Sequence, residues 1–235
     1  MKKSETIKRS LKINYNLKIK RYNYYPETNE ELTELIDKLL KKYGNNLDLN
    51  NIDVSNIEDF SKIFYNKRLF NGDVSEWNVL NGKTFIDMFF GCKKFNSDLS
   101  DWDVSNGEEF NKMFFNCEDF NSDLSKWNVN NVKNFYGLFE YCINFNSDLG
   151  KWDVSNGIIF TYMFYKCKNF NSDLSNWNVS NGISFKGMFS GCESFYSDLS
   201  GWNVFKAKYW SSFTKNSLLE EYNERIPKKF RNNYI

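Results

Sequence analysis

Residues 95–119 read FNSDLSDWDVSNGEEFNKMFFNCED, and the same 25-residue pattern opens again at Phe120, Phe145, Phe170 and Phe195 without insertion or deletion. Phe70 opens a slightly degraded copy, and Leu49 to Phe64 is a half copy. A fixed period of this length is the signature of a repeat architecture, and it governs how every local motif is read.

The columns of the repeat set the expected geometry. Trp recurs at 77, 102, 127, 152, 177 and 202, with Val two residues later and Leu or Val three residues before. Side chains alternate along a strand, so Leu-x-x-Trp-x-Val predicts a short strand with Trp and Val on one face. The period then changes. Phe110, Met113, Phe114 and Cys117 stand at i, i+3, i+4 and i+7, the spacing of one face of a short helix. Asn106-Gly107, Asn156-Gly157 and Asn181-Gly182 join the two elements, where Gly offers the positive φ of a tight corner and Ser or Asn a helix cap. One such unit cannot bury its apolar face alone, but stacked neighbours can. The expected fold class is therefore α/β, a solenoid of 25-residue strand–helix repeats with one parallel sheet. Its seven strands run from Leu49–Val54 to Leu199–Val204.

The ends read as caps. In residues 7–22, Leu11, Ile13, Tyr15, Leu17 and Ile19 alternate with polar residues, which predicts a strand with a basic face. Thr28 followed by Glu31 is a capping-box pattern. Leu32, Leu35, Ile36, Leu39, Leu40 and Tyr43 then mark an amphipathic helix over 28–43, stopped at Gly44. Residues 1–44 form the expected N-terminal cap, 45–213 the repeats, and 214–235 a C-terminal cap helix and basic tail. All belong to one structural domain, expected to be a monomer.

Composition narrows the chemistry. Aromatic residues make up 19% of the chain, and the Phe and Trp columns supply most of them. There is no His, which removes His-based triads and His metal ligands. The five Cys fall in one column (92, 117, 142, 167, 192) and read as small core residues in a reducing compartment. Their odd count and identical role speak against a disulfide framework, and no CxxC pair suggests zinc. The first ten residues are basic but no apolar run follows, and no stretch has the roughly 20 apolar residues of a spanning helix. The chain as written is expected to be cytoplasmic, or at the cell surface if a leader was removed.

Charge is segregated. Lys+Arg against Asp+Glu is 11 to 6 over residues 1–44, 13 to 21 over 45–204, and 7 to 3 over 205–235. An acidic repeat body repels duplex nucleic acid and suits a basic partner surface, or two partners of different charge. The positions flanking Trp point outward in the expected strand. Asn78, Asp103, Asn128, Asp153, Asn178 and Asn203 follow it, and Glu76, Asp101, Lys126, Lys151 and Asn176 precede it. These eleven residues are the candidate protein contacts, the second column being the more varied. Lys18, Lys20 and Arg21 at one end, and Lys228, Lys229 and Arg231 at the other, are candidate basic patches. Asn96-Ser97-Asp98 and its copies carry oxygen ligands suited to calcium, yet Leu follows directly, so they read as hydrogen-bonded turns. No phosphate loop, nucleophile motif or HExxH occurs, so no catalytic residue, metal site or cofactor is expected.

From Pro26 to about Phe213, the helix start PETNEELTELI (26–36), the half copy DLNNIDVSNI (48–57) and the repeated F-N-x-D-L-S-x-W-[ND]-V-S-N resemble the BspA-like, mycoplasma lipoprotein-type leucine-rich-repeat surface family. This resemblance implies a leucine-rich-repeat-like solenoid used for protein binding or adhesion, with no catalytic centre. Gly82, Gly107, Gly157 and Gly182 depart from the Val that this family often carries after Ser-Asn, while Ile57 and Val132 keep an apolar residue there. The first function expected is a non-catalytic interaction scaffold or adhesin. A second is an anti-CRISPR-like intracellular inhibitor from a phage or mobile element, blocking a host nucleic-acid-processing enzyme. A third is single-stranded RNA binding by the basic ends.

Overall fold

The structure, a computed structural model, describes residues 22–231. The strand expected over 7–22, with Lys18, Lys20 and Arg21, lies outside the described residues. Among the described residues, one α-helix, α1 (Asn29–Tyr43), precedes the repeats. Thr28 Oγ1 accepts the Glu31 N–H at 3.2 Å, and Glu31 in turn accepts the Glu27 N–H at 2.9 Å. Gly44, at φ 91°, ends α1 while its N–H donates to the Leu40 carbonyl. Leu32, Ile36 and Leu39 are buried against the first repeat.

From Leu49 onward the chain stacks in rungs of 25 residues. Parallel bridges link Asp59, Thr84, Glu109, Asn134, Ile159, Ser184 and Tyr209 in succession, each to the residue 25 further on. Equivalent rings lie over one another. Phe95, Phe120 and Phe145 are spaced 5.8 and 5.9 Å apart, and Trp77, Trp102 and Trp127 6.4 Å apart, all with nearly parallel planes. These columns, with Leu, Val, Met and Cys, form one continuous buried core from α1 to Phe230.

The elements inside a rung differ from those expected. Leu99–Trp102 is a β-turn, closed by the Trp102 N–H on the Leu99 carbonyl at 3.1 Å, and no continuous strand forms among the described repeats. Phe110–Cys117 is a run of β-turns with left-handed Lys112 (φ 54°) and Asn116 (φ 59°). The i, i+3, i+4, i+7 spacing serves successive turns as well as a helix, because the turns Phe110–Met113 and Phe114–Cys117 put their first and fourth residues in the core, while the turn Lys112–Phe115 between them faces outward. Alternate amides decide between the two. Met113, Phe115 and Cys117 N–H close turns within the rung, whereas Lys112, Phe114 and Asn116 N–H donate to Tyr136, Leu138 and Glu140 of the next rung. A helix would keep all of these bonds to itself and could not join its neighbour.

The corner glycines also have another cause. Gly107, Gly157 and Gly182 do not have positive φ. A Cβ there would meet the ring of the Phe three residues on at 2.5, 2.3 and 2.2 Å, so in these rungs the ring occupies the space that Ile57 and Val132 fill in theirs. At the C-terminal end, the expected cap helix is three short 3-10 turns, Leu218–Glu221, Asn223–Arg225 and Lys228–Phe230. Phe230 closes the core against Phe213 and Trp210, with ring centroids 5.0 and 5.3 Å away.

Candidate functional site

Each rung exposes residues of two turn segments to solvent. Wall A is the turn segment carrying Trp (residues 96–105 and equivalents). Wall B is the turn segment carrying Phe-x-x-Met-Phe (residues 110–117 and equivalents).

Wall A is a ladder of repeated polar bonds. Ser147 Oγ accepts the Leu124 N–H at 2.8 Å and donates to Asp123 at 3.4 Å, and Ser97, Ser122, Ser172 and Ser197 do the same in their rungs. Asn121, Asn146 and Asn171 each donate a backbone N–H to the Asn side chain one rung back. The Trp127 indole donates to the Leu99 carbonyl at 2.9 Å, filling the second lone pair beside the Trp102 N–H. Asp98 accepts the Ser100 N–H at 3.0 Å, and this pattern recurs at Asp73, Asp123, Asp148, Asp173 and Asp198. The Asn-Ser-Asp triplets are therefore hydrogen-bonded turns. The Ser100 amide and hydroxyl hold the Asp98 carboxyl below its ordinary range, and Asp123, Asp173 and Asp198 are lowered in the same way.

All eleven residues singled out beside Trp are exposed on wall A. Those following Trp have local work: Asp103 and Asp153 accept the Ser105 and Ser155 N–H, both at 3.0 Å, and Asn78, Asn128, Asn178 and Asn203 cap the same turn. In the varied column, Lys126 lies 4.0 Å from Asp101, both well exposed. A shallow open depression runs over Asp123, Lys126, Asp148 and Lys151. Between residues 46 and 205, the wall A segments carry Asp48, Asp53, Asp73, Glu76, Asp98, Asp101, Asp103, Asp123, Asp148, Asp153, Asp173 and Asp198 against only Lys126 and Lys151. Among the described residues, no group of three or more Cys, Asp or Glu is placed to hold a metal ion.

Of the basic-tail residues, Lys228 is exposed, but Lys229 and Arg231 are not simply solvated. Lys229 Nζ donates to the Ala207, Phe205 and Val204 carbonyls at 2.7, 2.9 and 3.4 Å, and Arg231 donates to the Ile226 and Glu224 carbonyls. Both cap backbone acceptors at the end of the stack. The Cys column is inert: each thiol is buried and donates to a Phe carbonyl one rung back, and burial pushes Cys92 up to about 12.

Wall B holds a feature the sequence reading passed over. Tyr65, Phe90 and Phe115 stack at 4.8 and 4.4 Å, and edge-on contacts continue the row through Tyr141, Tyr165, Tyr162 and Tyr136. These rings are exposed or half-buried. Lys62, Lys112, Lys166 and Lys186 lie over them at 5.1–5.9 Å. Glu140 interrupts the ring column, and burial pushes its carboxyl up to about 7 against the pull of Lys112. The available signal was variation. The column containing Phe115 reads Tyr65, Phe90, Phe115, Glu140, Tyr165, Ser190, Lys215, in contrast to the invariant columns beside it.

The rung period, the through-stack polar ladders and the two chemically distinct walls define a 25-residue-repeat protein. The chain belongs to the family described as Mycoplasma protein of unknown function, DUF285, which matches it twice, over residues 33–142 and 123–227. No curated protein and no solved structure matches it. No helix among the described residues is long and apolar enough to cross a membrane.

Proposed function

We propose that the chain is a non-catalytic, protein-binding solenoid of the BspA-like, leucine-rich-repeat-like kind, an interaction scaffold or adhesin that takes a basic partner on wall A. The observation that carries this reading is the Asp column. A turn cap needs only an acceptor oxygen, as Asn78, Asn128, Asn178 and Asn203 show in the column beside it. Asp48, Asp73, Asp98, Asp123, Asp148, Asp173 and Asp198 nevertheless keep a carboxylate in every rung, at a spacing where like charges repel. Elsewhere neighbouring rungs pair opposite charges, as in Lys83–Glu58, Lys94–Asp119 and Lys168–Glu193. A wall of one sign is electrostatically complementary to a basic surface and steers its approach.

The test is a tagged pull-down from source-cell lysate and from intact cell surfaces. It compares wild type with Asp98→Asn/Asp101→Lys/Asp123→Asn/Asp148→Asn/Asp173→Asn, in which Asn preserves the turn caps. A basic protein retained by wild type and lost from the variant supports the reading. Equal retention by both refutes wall A as the binding face.

A further inference from the structure

The aromatic row on wall B is not required by the fold. The rung at 186–191 has the same turns with Lys186, Gly187, Ser190 and Gly191 at the equivalent positions, and the rung at 211–216 has Ser211, Ser212, Lys215 and Asn216. The backbone argues further. Lys112 and Tyr162 have φ of 54° and 56° in a column where Gly137 and Gly187 also stand, and Tyr141 has φ of 63° where Gly91 and Gly191 stand. A left-handed conformation costs a non-glycine residue roughly 1–2 kcal/mol. Asp87, Ser212 and Asn216 have the same conformation outside the row, so the left-handed backbone belongs to the turns, and what sets the row apart is that rings stand where glycine serves in other rungs.

We infer that the Tyr65-to-Tyr165 row of wall B, with Lys62, Lys112, Lys166 and Lys186 over its rings, is a second docking surface, and that it takes an acidic segment of a protein partner. Tyrosine supplies rigid, amphipathic contact area at low entropic cost, which suits protein recognition. The four ammonium groups ask for carboxylates. The two acidic residues in the same turns, Asp87 and Glu140, are half-buried, and burial raises the pKa of each against the pull of Lys112 and Lys62 on Asp87 and of Lys112 on Glu140; Lys166 and Lys186 have no acid in these turns beside them. Five rungs, with four spacings of about 4.8 Å, give a row about 20 Å long, the reach of about six extended residues. Nucleic acid fits less well. Tyr65, Phe90 and Phe115 spend their faces on one another, with interplanar angles of 20° and 7°, and leave edges outward where bases would need faces.

This inference rests on the protein-binding reading but uses a different wall and a partner of opposite charge. Fluorescence anisotropy with a labelled glutamate–tyrosine copolymer and a labelled oligouridine tests it. The proteins are wild type, Lys112→Gly/Tyr141→Gly/Tyr162→Gly, and the wall A variant described above. The glycine variant should keep its fold, since glycine already occupies these positions in other rungs. Tyr65→Ser/Phe90→Ser/Tyr165→Ser, patterned on Ser190, is the second variant should the first unfold. The expected result is copolymer binding by wild type and by the wall A variant, weakened at least tenfold in either wall B variant. Oligouridine should bind at least tenfold more weakly than the copolymer. No copolymer binding by wild type, or equal binding by the wall B variants, overturns the inference. Equal or tighter binding of oligouridine overturns the choice of a protein partner. None of these outcomes depends on the wall A pull-down, so either reading can fail alone.

Discussion

Replacing Ser147 by Ala tests the ladder that joins the rungs. Its hydroxyl accepts the Leu124 N–H at 2.8 Å, and Ser147 is only 6% exposed beside a fully buried Leu124, so bulk water cannot substitute. The equivalent amide finds an acceptor in every rung, even where Ser is missing: Leu49 N–H donates to the Asp73 carbonyl beside Gly72, and Leu199 N–H to the Arg225 carbonyl. Ser147→Ala removes the acceptor and leaves a methyl in its place. A buried amide left unpaired costs about 1–3 kcal/mol. With a urea slope of about 2 kcal/mol per molar, the midpoint should fall by about 0.5–1.5 M. Hydrogen exchange should show the Leu124 amide losing protection ahead of its neighbours. Lys126→Ala, an exposed side chain of the same turn, should stay within about 0.5 kcal/mol of wild type. A midpoint for Ser147→Ala that matches Lys126→Ala, with Leu124 still protected, would refute the reasoning.

Further outcomes follow from the same geometry. Glu140 has its folded pKa raised to about 7 by burial, so the folded state binds its proton more tightly than the unfolded chain, and stability falls as pH rises from about 4.5 to 7. Glu140→Gln should abolish that slope and raise stability at pH 8 by about 1–2 kcal/mol, allowing for the side chain's partial exposure, with no gain at pH 4.5; thermal melts across this range check it. Conversely, Asp98, Asp123, Asp173 and Asp198 have lowered folded pKa values, so their contribution is complete above about pH 4 and is lost on further acidification, which an acid titration followed by circular dichroism reads. Gly157→Ala places a methyl 2.3 Å from the Phe160 ring and should cost about 1–3 kcal/mol, whereas Gly201→Ala meets nothing within 4 Å and should be near neutral in urea melts. Lys229→Ala removes the ammonium donor from the Phe205 and Ala207 carbonyls, while Val204 still accepts the Ala207 N–H, and should speed proteolysis after Val204 while leaving the earlier rungs resistant.

Much of the molecule was legible in the chain alone. The 25-residue period fixed which residues share a column, because an unbroken repeat gives equivalent positions equivalent surroundings. The Leu, Trp, Val, Phe, Met and Cys columns are buried for that reason. Helix α1 could be read because its caps, Thr28 and Gly44, act within a few residues of sequence. Glu76, Asp101, Lys126, Lys151 and Asn176 are exposed as expected, although the strand whose alternation predicted it is a turn.

Only the tertiary structure decided the backbone inside the repeat. Apolar spacing of three and four residues fits a helix and a succession of turns equally, and the choice falls to amides that bond to a neighbour 24 residues away. Gly137 and Gly187, inside the expected helices, were the local warning, since glycine weakens a helix interior. The wall B row was hidden for a related reason. Tyr136, Tyr141, Tyr162 and Tyr165 occupy four different columns of the repeat pattern, and they meet only because turns and stacking bring adjacent rungs together. A repeat records which residues are equivalent; which residues from different columns touch is a property of the stack.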